Sequence, residues 1–432
     1  MKILIKNGII FDWETVLENR KMDMIIHNGV IEKIGNSLSY DEKDFDTVLD
    51  LESKYFVFPG LIDVHTHFRD PGYEYKEDIE SGSYAALHGG YTTCISMPNT
   101  NPPISNQETA LYVQSKSHWI DIFSALTISV DRKGEILNDF AKLTSKGYNV
   151  FTDDGNALEN PFLMFQALQL SGKYEYILMQ HCLYNDFFPQ GILNYGHVSK
   201  QFNFAGLPDV GETSLIFRDL ELAKIAGGYL HFTHVSTKKG VDLILQYKKD
   251  NPKISFDVTP HHLLLNEEKL TTKNANFKVM PPLRNEGNRI GLVEHLINGD
   301  IDMISTDHAP HTNQEKLMDI TMAPPGLTGL ETAFLSLYHN FVLQNHISLR
   351  YLIKIMSYEP ARKFGMKGKG SLRTGNIADI AIFNPDKVQR IDSQFFLSKA
   401  KNTPFTNEKF QGEFVYILKN GKIMYDHGQI KR

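Results

Sequence analysis

The chain contains little cysteine, little tryptophan and no long apolar run. Only Cys94 and Cys182 occur among 432 residues, which is far too few for the disulfide framework of a secreted scaffold. No stretch approaches the roughly 18 consecutive apolar residues of a membrane span, and the first residues alternate too early for a signal peptide. We therefore expect a cytoplasmic protein that does not associate with membranes.

An excess of positive charge is also absent. The formal net charge is -6, with 45 Lys and Arg against 51 Asp and Glu. This charge gives no electrostatic reason to bind nucleic acid and favours a small-molecule partner. Hydrophobic content of 41% and charged content of 22% are ordinary for a globular protein with a large core.

Histidine occurs in a pattern that suggests metal binding. His65 and His67 flank Thr66, and alternate side chains of an extended strand share a face, so the two imidazoles would point to one place. Taken alone, such a pair is more often two ordinary polar residues on a strand. Its interpretation as half of a metal site depends on the rest of the chain.

Further histidine and aspartate residues stand at the ends of short apolar runs. They are Asp153 and Asp154 after Tyr148 to Thr152, His181 after Tyr176 to Gln180, His234 after Phe232-Thr233, and Asp307 after Asp302 to Thr306. In a barrel of alternating strands and helices the carboxyl ends of the strands converge on one mouth, where these side chains could meet. Four imidazoles and two carboxylates suit a pair of zinc-like divalent ions, with one carboxylate able to bridge them.

Strand-like segments at both ends of the chain enclose an alternating central region. The terminal segments contain turn signals such as Asn28-Gly29 and Asn420-Gly421, which favour hairpins. Between them, helical stretches alternate with strand-like runs; the stretches are Asp78 to His88, Pro161 to Ser171, Glu212 to Ala226 and Gly287 to Asn298. We predict an α/β protein with a (β/α)8 TIM barrel over residues 59–367 and a small β-sandwich domain built from residues 1–58 and 368–432.

Several longer motifs follow one another along the chain. They are Pro59 to Gly72, Ser96 to Thr100, Phe151 to Gly155, Val258 to His262, Thr306 to His311 and Gly329 to Thr332. In this joint order they resemble the dihydroorotase family, of the type common in bacteria, within the amidohydrolase superfamily. Hydantoinases and allantoinases share the fold and the first histidine pair, whereas Arg69 to Gly72 and Met97 to Thr100 resemble dihydroorotases specifically. The resemblance covers almost the whole chain and implies a metal-dependent hydrolase.

The resemblance implies two bound divalent ions, expected to be zinc. The more buried ion would be held by His65, His67 and Asp307 and its neighbour by His181 and His234, with Asp154 as the bridge. Many superfamily members bridge with a carboxylated lysine instead, but residues 148–156 contain no lysine. Asp153 is then expected to be solvated or to orient a ligand. Zinc, cobalt and manganese accept overlapping ligand sets, so the identity of the metal stays open.

The activity implied by the resemblance is the reversible cyclisation of N-carbamoyl-L-aspartate to L-dihydroorotate in pyrimidine biosynthesis. Paired divalent ions activate water for attack on a ring amide carbonyl. Asp307 is the implied catalytic residue, which would take a proton from this water and deliver it to the departing ring nitrogen.

Arg69 is the expected partner of the substrate carboxylate, because a planar guanidinium can form two parallel hydrogen bonds with it. Its position two residues after a metal-site histidine favours this role over an ordinary ion pair. Further substrate contacts are implied at Asn99, His311, Pro325 and Gly326, the last two on a loop over the mouth of the barrel.

Met280 departs from the family pattern, which has asparagine before Pro-Pro-Leu-Arg. Since a thioether donates no hydrogen bond, a neighbour such as Asn276 compensates, or the preferred ring differs, or activity is reduced. The alternative activity is that of a dihydropyrimidinase, hydantoinase or allantoinase.

A noncatalytic relative that serves as a scaffold for aspartate carbamoyltransferase is a further alternative, although the ligand set is complete. We also expect a homo-oligomer, since a helix face such as Pro161 to Ser171 could bury against another subunit or against the barrel.

Overall fold

The computed structural model describes residues 1–36, 38–184, 188, 190–270 and 273–431. Its strands are β1 (Lys2–Asp12), β2 (Leu17–His27), β3 (Val30–Gly35), β4 (Thr47–Asp50), β5 (Phe56–Pro59), β6 (Leu61–Thr66), β7 (Tyr91–Ser96), β8 (Asp121–Ser124), β9 (Val150–Thr152), β10 (Ile177–His181), β11 (Leu193–Asn194), β12 (Gly206–Leu207), β13 (Tyr229–Thr233), β14 (Ile254–Val258), β15 (Met303–Ile304), β16 (Ile380–Arg390), β17 (Lys409–Lys419), β18 (Lys422–Asp426) and β19 (Gln429–Ile430).

The helices alternate with the strands through the middle of the chain. They are α1 (Ile79–His88), α2 (Gln107–Lys116), α3 (Phe140–Thr144), α4 (Pro161–Tyr174), α5 (His197–Gln201), α6 (Val210–Ala226), α7 (Lys238–Lys248), α8 (Pro260–Leu264), α9 (Glu286–Asn298), α10 (Asn313–Lys316), α11 (Leu330–Leu337), α12 (Leu349–Ile353) and α13 (Glu359–Lys363). No helix formed by the described residues combines the length and the apolar character that a membrane crossing requires.

Eight parallel strands form a ring at the centre of the molecule. β6, β7 and β8 pair in one sheet, and β9, β10, β13, β14 and β15 pair in another. Isolated parallel bridges from Leu126 to Phe151 and from Thr66 to His308 join the two sheets at both edges. The strands are buried because helices cover the outside of the ring and apolar side chains such as Met303 fill the inside. The predicted TIM barrel is confirmed.

The helices around the barrel begin and end where the sequence provides caps. Asp78, Asn160 and Asn285 precede α1, α4 and α9, and each side chain accepts a hydrogen bond from a backbone amide of the first turn. Gly227 and Gly299 end α6 and α9 in the left-handed conformation. The four predicted helices are confirmed, and their bounds differ from the predicted ones by three residues or fewer.

Strands from both ends of the chain form one nine-stranded sheet, in the order β19-β18-β17-β16-β5-β1-β2-β3, with β4 paired to β1. The strands β2 and β17 are separated by three strands in the sheet, yet Ile26 of β2 and Leu418 of β17 belong to one apolar core. The sheet therefore folds over on itself. Asn28 and Asn420 have positive φ in the tight turns before β3 and β18. The sandwich expected from both termini is confirmed as this folded sheet, while the predicted domain limits stay a prediction.

An aromatic cluster joins the terminal sheet to the barrel. Phe58, Phe383 and Phe414 come from the sheet, and their ring centroids lie 5.3, 5.1 and 5.2 Å from that of Phe334 in α11. All four rings are buried. The sheet is therefore packed against the outer, helical layer of the barrel.

Candidate metal centre

Four histidines and two aspartates gather at the carboxyl end of the barrel. They are His65 in β6 and His67 just after it, Asp154 after β9, His181 at the end of β10, His234 after β13 and Asp307 after β15. All six side chains are buried. Since parallel strands point their carboxyl ends to the same mouth, residues far apart in the sequence converge there.

Asp154 stands between two pairs of imidazoles. Its Oδ1 lies 3.2 Å from His65 Nε2, and its Oδ2 lies 3.5 Å from His67 Nε2. On the other side, Oδ1 lies 3.5 Å from His181 Nδ1 and 3.7 Å from His234 Nε2. These two ring nitrogens are 2.9 Å apart. Two triads of converging ligand atoms thus share Asp154, as a bridged pair of cations requires.

Asp307 lies beside the first of these triads. Its Oδ1 is 3.1 Å from His67 Nε2 and 3.7 Å from His65 Nε2. Asp307 and His234 have φ values of 47° and 38°, a conformation that is costly for residues with a side chain. Such strain is typical of functional positions, and here it occurs within three residues of the end of a barrel strand.

The buried polar atoms of the cluster fit a divalent cation. Among the described residues, His65 Nε2 and Asp154 Oδ1 form no hydrogen bond of suitable geometry, although both are buried and lie 3.2 Å apart. Unsatisfied buried atoms are costly unless a ligand or an ion completes them. Imidazole nitrogen and carboxylate oxygen are the donors that zinc-like ions accept. The residues present therefore fit the ions that the sequence implies.

The electrostatics of the cluster favour positive charge. Burial opposes the charge on His65, yet Asp154 and Asp307 raise the pKa of this imidazole to about 10. Burial also opposes ionisation of the two carboxyls, but the neighbouring imidazoles lower both of their pKa values below the ordinary range. Both carboxylates are therefore ionised and can act as ligands or accept a proton.

Asp153 and Asp154 face in different directions. The Asp153 carboxylate accepts hydrogen bonds from the backbone amides of Ile128 at 2.9 Å and Ser129 at 3.1 Å. Arg132 Nη2 donates to the Asp154 carbonyl at 2.5 Å and so holds the backbone at Asp154 in place. The structure places Asp154 among the imidazoles and Asp153 against the neighbouring loop.

Two further aspartates orient the ligands, and neither was identified from the sequence. Asp63 accepts a hydrogen bond from the His65 amide at 3.0 Å. Asp257 accepts from the His234 amide at 2.8 Å and from His231 Nε2 at 2.7 Å. Asp63 precedes His65 by two residues, so strand alternation could have identified it. Asp257 acts across strands and has no such local signal.

A cavity of about 180 Å³ opens over the cluster. Its lining includes all the substrate-contact residues expected from the sequence, namely Arg69, Asn99, His311, Pro325 and Gly326. Met280 also lines the cavity, whereas Asn276 is not among the described residues that do. Asn276 therefore does not supply, at the cavity wall, the hydrogen-bonding group that Met280 lacks.

Arg69 is a half-buried cation in the cavity wall. Its Nε donates to the Pro310 carbonyl at 3.2 Å, and its Nη2 lies 3.3 Å from His311 Nε2. Burial lowers the pKa of Arg69 below its ordinary value, although Asp307 acts in the opposite direction, and a guanidinium remains charged in any case. The Pro310 carbonyl is an uncharged acceptor, and His311 Nε2, which donates to the Pro325 carbonyl, does not accept from Arg69. The guanidinium can therefore bind an anionic ligand group.

Asn99 and His311 present polar groups to the same cavity. Asn99 Oδ1 accepts from His67 Nδ1 at 2.8 Å, which leaves the amide NH2 of Asn99 as a donor for a ligand. Burial and the neighbouring cations lower the pKa of His311 below its ordinary value, so the imidazole is neutral. Its Nε2 donates to the Pro325 carbonyl at 2.9 Å, while Lys76 Nζ donates to its Nδ1 at 3.3 Å.

Two protein-family models match the chain. The model described as Dihydro-orotase-like matches residues 54–240, and the model described as Amidohydrolase family matches residues 191–424. The two matches together span all six residues of the metal cluster.

Similar proteins extend over nearly the whole chain. A Bacillus cytotoxicus protein named dihydroorotase is 39% identical over 429 residues, 98% of each chain. An Aquifex aeolicus protein of the same name is 38% identical over 431 residues, 98% of this chain and 99% of the relative. Among solved structures, L-hydantoinase (dihydropyrimidinase) from Arthrobacter aurescens has a TM-score of 0.89 at 25% identity, over 100% of this chain and 97% of the other. Dihydropyrimidinase from Brevibacillus agri NCHU1002 has a TM-score of 0.86 at 22% identity, with 100% and 96% covered, and supports the fold alone.

Proposed function

Because the chain belongs to the dihydroorotase-like family of the amidohydrolases, we propose that it is a dihydroorotase, which interconverts L-dihydroorotate and N-carbamoyl-L-aspartate in pyrimidine biosynthesis. The observation that carries this proposal is the pair of triads that share Asp154 beneath a cavity lined by Arg69. The triads suit metal-assisted hydrolysis of a cyclic amide. The guanidinium suits the carboxylate that distinguishes dihydroorotate from an uncharged ring.

We assign the ligands of two ions, proposed to be zinc. His65, His67 and Asp307 would hold one ion and His181 and His234 the other, with Asp154 shared between them. When bound, such ions lower the pKa of water and polarise an amide carbonyl. The chain itself supplies the buried, pre-oriented donors, because Asp63 and Asp257 hold the backbone of His65 and His234 in place.

Asp307 is the proposed proton carrier. Its carboxylate is ionised and lines the cavity. In hydrolysis it would accept a proton from the attacking water as the C–O bond forms, and then deliver that proton to the ring nitrogen as the C–N bond breaks. In cyclisation the ureido nitrogen attacks the carbon of the carboxylic acid and gives its proton to Asp307. Asp307 would then pass this proton to the departing hydroxyl group, which leaves as water as the C–O bond breaks.

Arg69 would bind the substrate carboxylate, with the Asn99 amide and His311 as neighbouring polar contacts. The backbone polar groups of Pro325 and Gly326 already have partners: His311 donates to the first carbonyl, and Lys316 Nζ donates to the second at 2.8 Å. The Gly326 amide also donates, to the Lys278 carbonyl. We propose that Pro325 and Gly326 mainly shape the cavity wall around the substrate ring and form few hydrogen bonds with this ring.

A cyclic amide without a carboxylate is the second candidate substrate, favoured by Met280. This side chain lines the cavity and offers no hydrogen bond to a polar ring edge. A hydantoin, a dihydropyrimidine or allantoin would be hydrolysed by the same metal chemistry and would need Arg69 less.

We further propose a cytoplasmic homo-oligomer. α4 and α6 pack side by side on the outside of the barrel and expose the apolar side chains of Phe162, Val210 and Phe217, which are 65%, 53% and 49% accessible. Exposed apolar groups of this kind are common at subunit contacts. A complex with aspartate carbamoyltransferase is the remaining assembly proposal, and light scattering of the protein alone and mixed with that enzyme tests both.

Metal analysis combined with turnover tests the proposed function. We expect two zinc equivalents per chain, conversion of dihydroorotate in both directions, and loss of activity with a chelator that added zinc reverses. Asp154→Ala should lose both ions and all activity. His295→Gln, at a buried histidine that bonds Asp300 and Asp242 far from the cluster, is the control and should retain the metal.

Arg69→Met separates the two candidate substrates. Loss of a charge-assisted pair of hydrogen bonds should lower kcat/KM for dihydroorotate by about 100-fold or more, and leave metal content unchanged. Fully metallated protein without turnover of dihydroorotate in either direction would refute the substrate assignment. Activity on an uncharged ring that survives Arg69→Met would favour the second candidate.

A further inference from the structure

The segment 391–408, which connects β16 to β17, leaves the terminal sheet and reaches the mouth of the barrel. The Leu397 amide donates to Glu331 Oε1 at 2.6 Å, and the Lys399 amide donates to Glu77 Oε1 at 3.2 Å. Both glutamates belong to the barrel side of the molecule and are buried. The segment is therefore anchored on the barrel and carries Asn402 toward the cavity.

Asn402 joins two parts of the cavity wall through one carboxamide. Its side chain is 2% exposed. Its Oδ1 accepts from the His311 amide at 3.1 Å, and its Nδ2 donates to the Gly326 carbonyl at 3.1 Å. Its own carbonyl accepts from the Thr328 amide at 2.9 Å. A single residue of the terminal domain thus holds both segments that face the metal cluster from above.

The backbone at Gly326 is closely packed and requires glycine. Its φ of 134° is a conformation that only glycine adopts readily. A side chain there would lie 2.7 Å from the Ala309 carbonyl oxygen and 3.1 Å from His311 Nε2. The Gly326 carbonyl accepts from Lys316 Nζ on one side and Asn402 on the other. Asn402 therefore links the His311 backbone to the Gly326 carbonyl, in addition to the direct bond from the His311 ring to the Pro325 carbonyl.

We propose that Asn402 is a positioning residue for the substrate site, by which the terminal domain sets the spacing between His311 and Gly326. This inference rests on the proposed function, because His311 and Arg69 are assigned there to the substrate. The His311 Nε2 atom donates to the Pro325 carbonyl at 2.9 Å and lies 3.3 Å from Arg69 Nη2. A shift of the His311 backbone would therefore move the polar groups that meet the ring and its carboxylate, and errors of about 1 Å in such groups weaken binding and turnover.

Two variants at position 402 dissect the carboxamide. Asn402→Ala removes both hydrogen bonds, whereas Asn402→Asp keeps the acceptor for the His311 amide and loses the donor to Gly326. For Asn402→Ala we expect KM for dihydroorotate to rise about tenfold with kcat within about threefold of wild type, because a binding surface and not the reacting groups is displaced. Metal content should not change.

Residue-resolved amide hydrogen exchange tests whether Asn402 holds the His311 backbone in place, and it needs no substrate. The His311 amide should lose protection in Asn402→Ala and keep it in Asn402→Asp. The matched control is Lys401→Ala, at the residue before Asn402, whose amine donates to the Ser393 carbonyl. This variant should alter neither amide exchange at His311 nor KM. If wild type does not act on dihydroorotate, the proposed function fails while the exchange pattern still tests Asn402.

The proposal is overturned if Asn402→Ala keeps KM within twofold of wild type, or if the His311 amide exchanges equally in both variants. It is also overturned if kcat falls together with the melting temperature while KM stays constant, since that result indicates a purely structural role. Should Asn402→Ala fail to fold, Asn402→Asp carries the test: KM must rise while the His311 amide stays protected.

Discussion

Met280 is an apolar residue among polar side chains of the cavity wall. It lines the cavity with Asn99, His181 and His234. A thioether donates no proton and accepts only weakly. A substrate amide that faces Met280 would lose its hydrogen bond to water without gaining another, and such a loss is costly in a buried site.

We therefore expect Met280→Asn to improve the turnover of dihydroorotate. One recovered hydrogen bond between neutral groups is worth about 1 kcal/mol, or roughly a fivefold rise in kcat/KM. Steady-state kinetics in both directions measure the change. Met280→Leu, which keeps the wall apolar, is the control and should stay close to wild type. An unchanged or lower kcat/KM for Met280→Asn would contradict the expectation.

Residue type and position made the metal cluster predictable, but they did not identify the residues that hold the cluster and the cavity wall in place. His181 and His234 stand where apolar runs end, and in a barrel that position alone indicates the mouth. Asp257 and Asn402 work through backbone amides that are distant in sequence. Any aspartate or asparagine can accept from an amide, so residue type gives no indication of which one does.

At the scale of elements, two buried lysines hold the segment between α10 and α11 over the cavity. Lys316 Nζ donates to the carbonyls of Pro324 at 3.0 Å and Gly326 at 2.8 Å. Lys278 Nζ donates to two other carbonyls of the same segment, each at 2.7 Å. An irregular segment with buried carbonyls needs such donors, because it has no strand or helix to supply them.

The burial of Lys316 makes the stability of this arrangement depend on pH. Burial and the nearby Lys278 lower the pKa of Lys316 to about 7, from an ordinary value of 10.5. Between these values the unfolded chain holds a proton that the folded chain has released, so the free energy of unfolding rises with pH, by at most about 1.4 kcal/mol per unit. Below pH 7 both states are protonated, and the contribution becomes constant.

We expect Lys316→Met to remove this part of the pH dependence. In urea unfolding at pH 7, 8 and 9, the difference in unfolding free energy should grow by about 1 kcal/mol per unit in favour of the wild type. Lys33→Met, at an exposed position of β3, is the control and should leave the slope unchanged. Parallel curves for wild type and Lys316→Met would show that the burial of this amine does not govern the dependence.

Helices and hairpins could be predicted from local signals, whereas the path of the 391–408 segment could not. Asn160 before Pro161 indicates a helix start, and Asn28-Gly29 indicates a tight turn, within a few residues of sequence. The segment takes its path from bonds to Glu77 and Glu331, more than 60 residues away. No local pattern encodes such partners, so the bonds from this segment to the cavity residues His311 and Gly326 become visible only in three dimensions.

At the scale of the whole molecule, the terminal sheet and the barrel share a continuous apolar interior. Phe414 of β17 and Phe334 of α11 are 2% and 1% exposed, and their ring centroids lie 5.2 Å apart. The rings belong to one buried cluster that continues into the outer layer of the barrel. Neither unit could separate without exposing these rings to water, so we expect the chain to unfold as one cooperative unit.

Phe414→Ala tests this cooperativity. Loss of a buried phenylalanine costs about 3 to 5 kcal/mol, which for a chain of this size lowers a single melting transition by roughly 3 to 5 °C. Phe334→Ala, from the barrel side, should shift the same transition similarly because it removes the same contacts, and Val388→Ala, at a position of β16 that is 56% exposed, should leave it in place. Calorimetry distinguishes the alternatives: two transitions, of which Phe414→Ala moves one and Phe334→Ala the other, would mean that sheet and barrel unfold independently and that the shared aromatic core does not couple them.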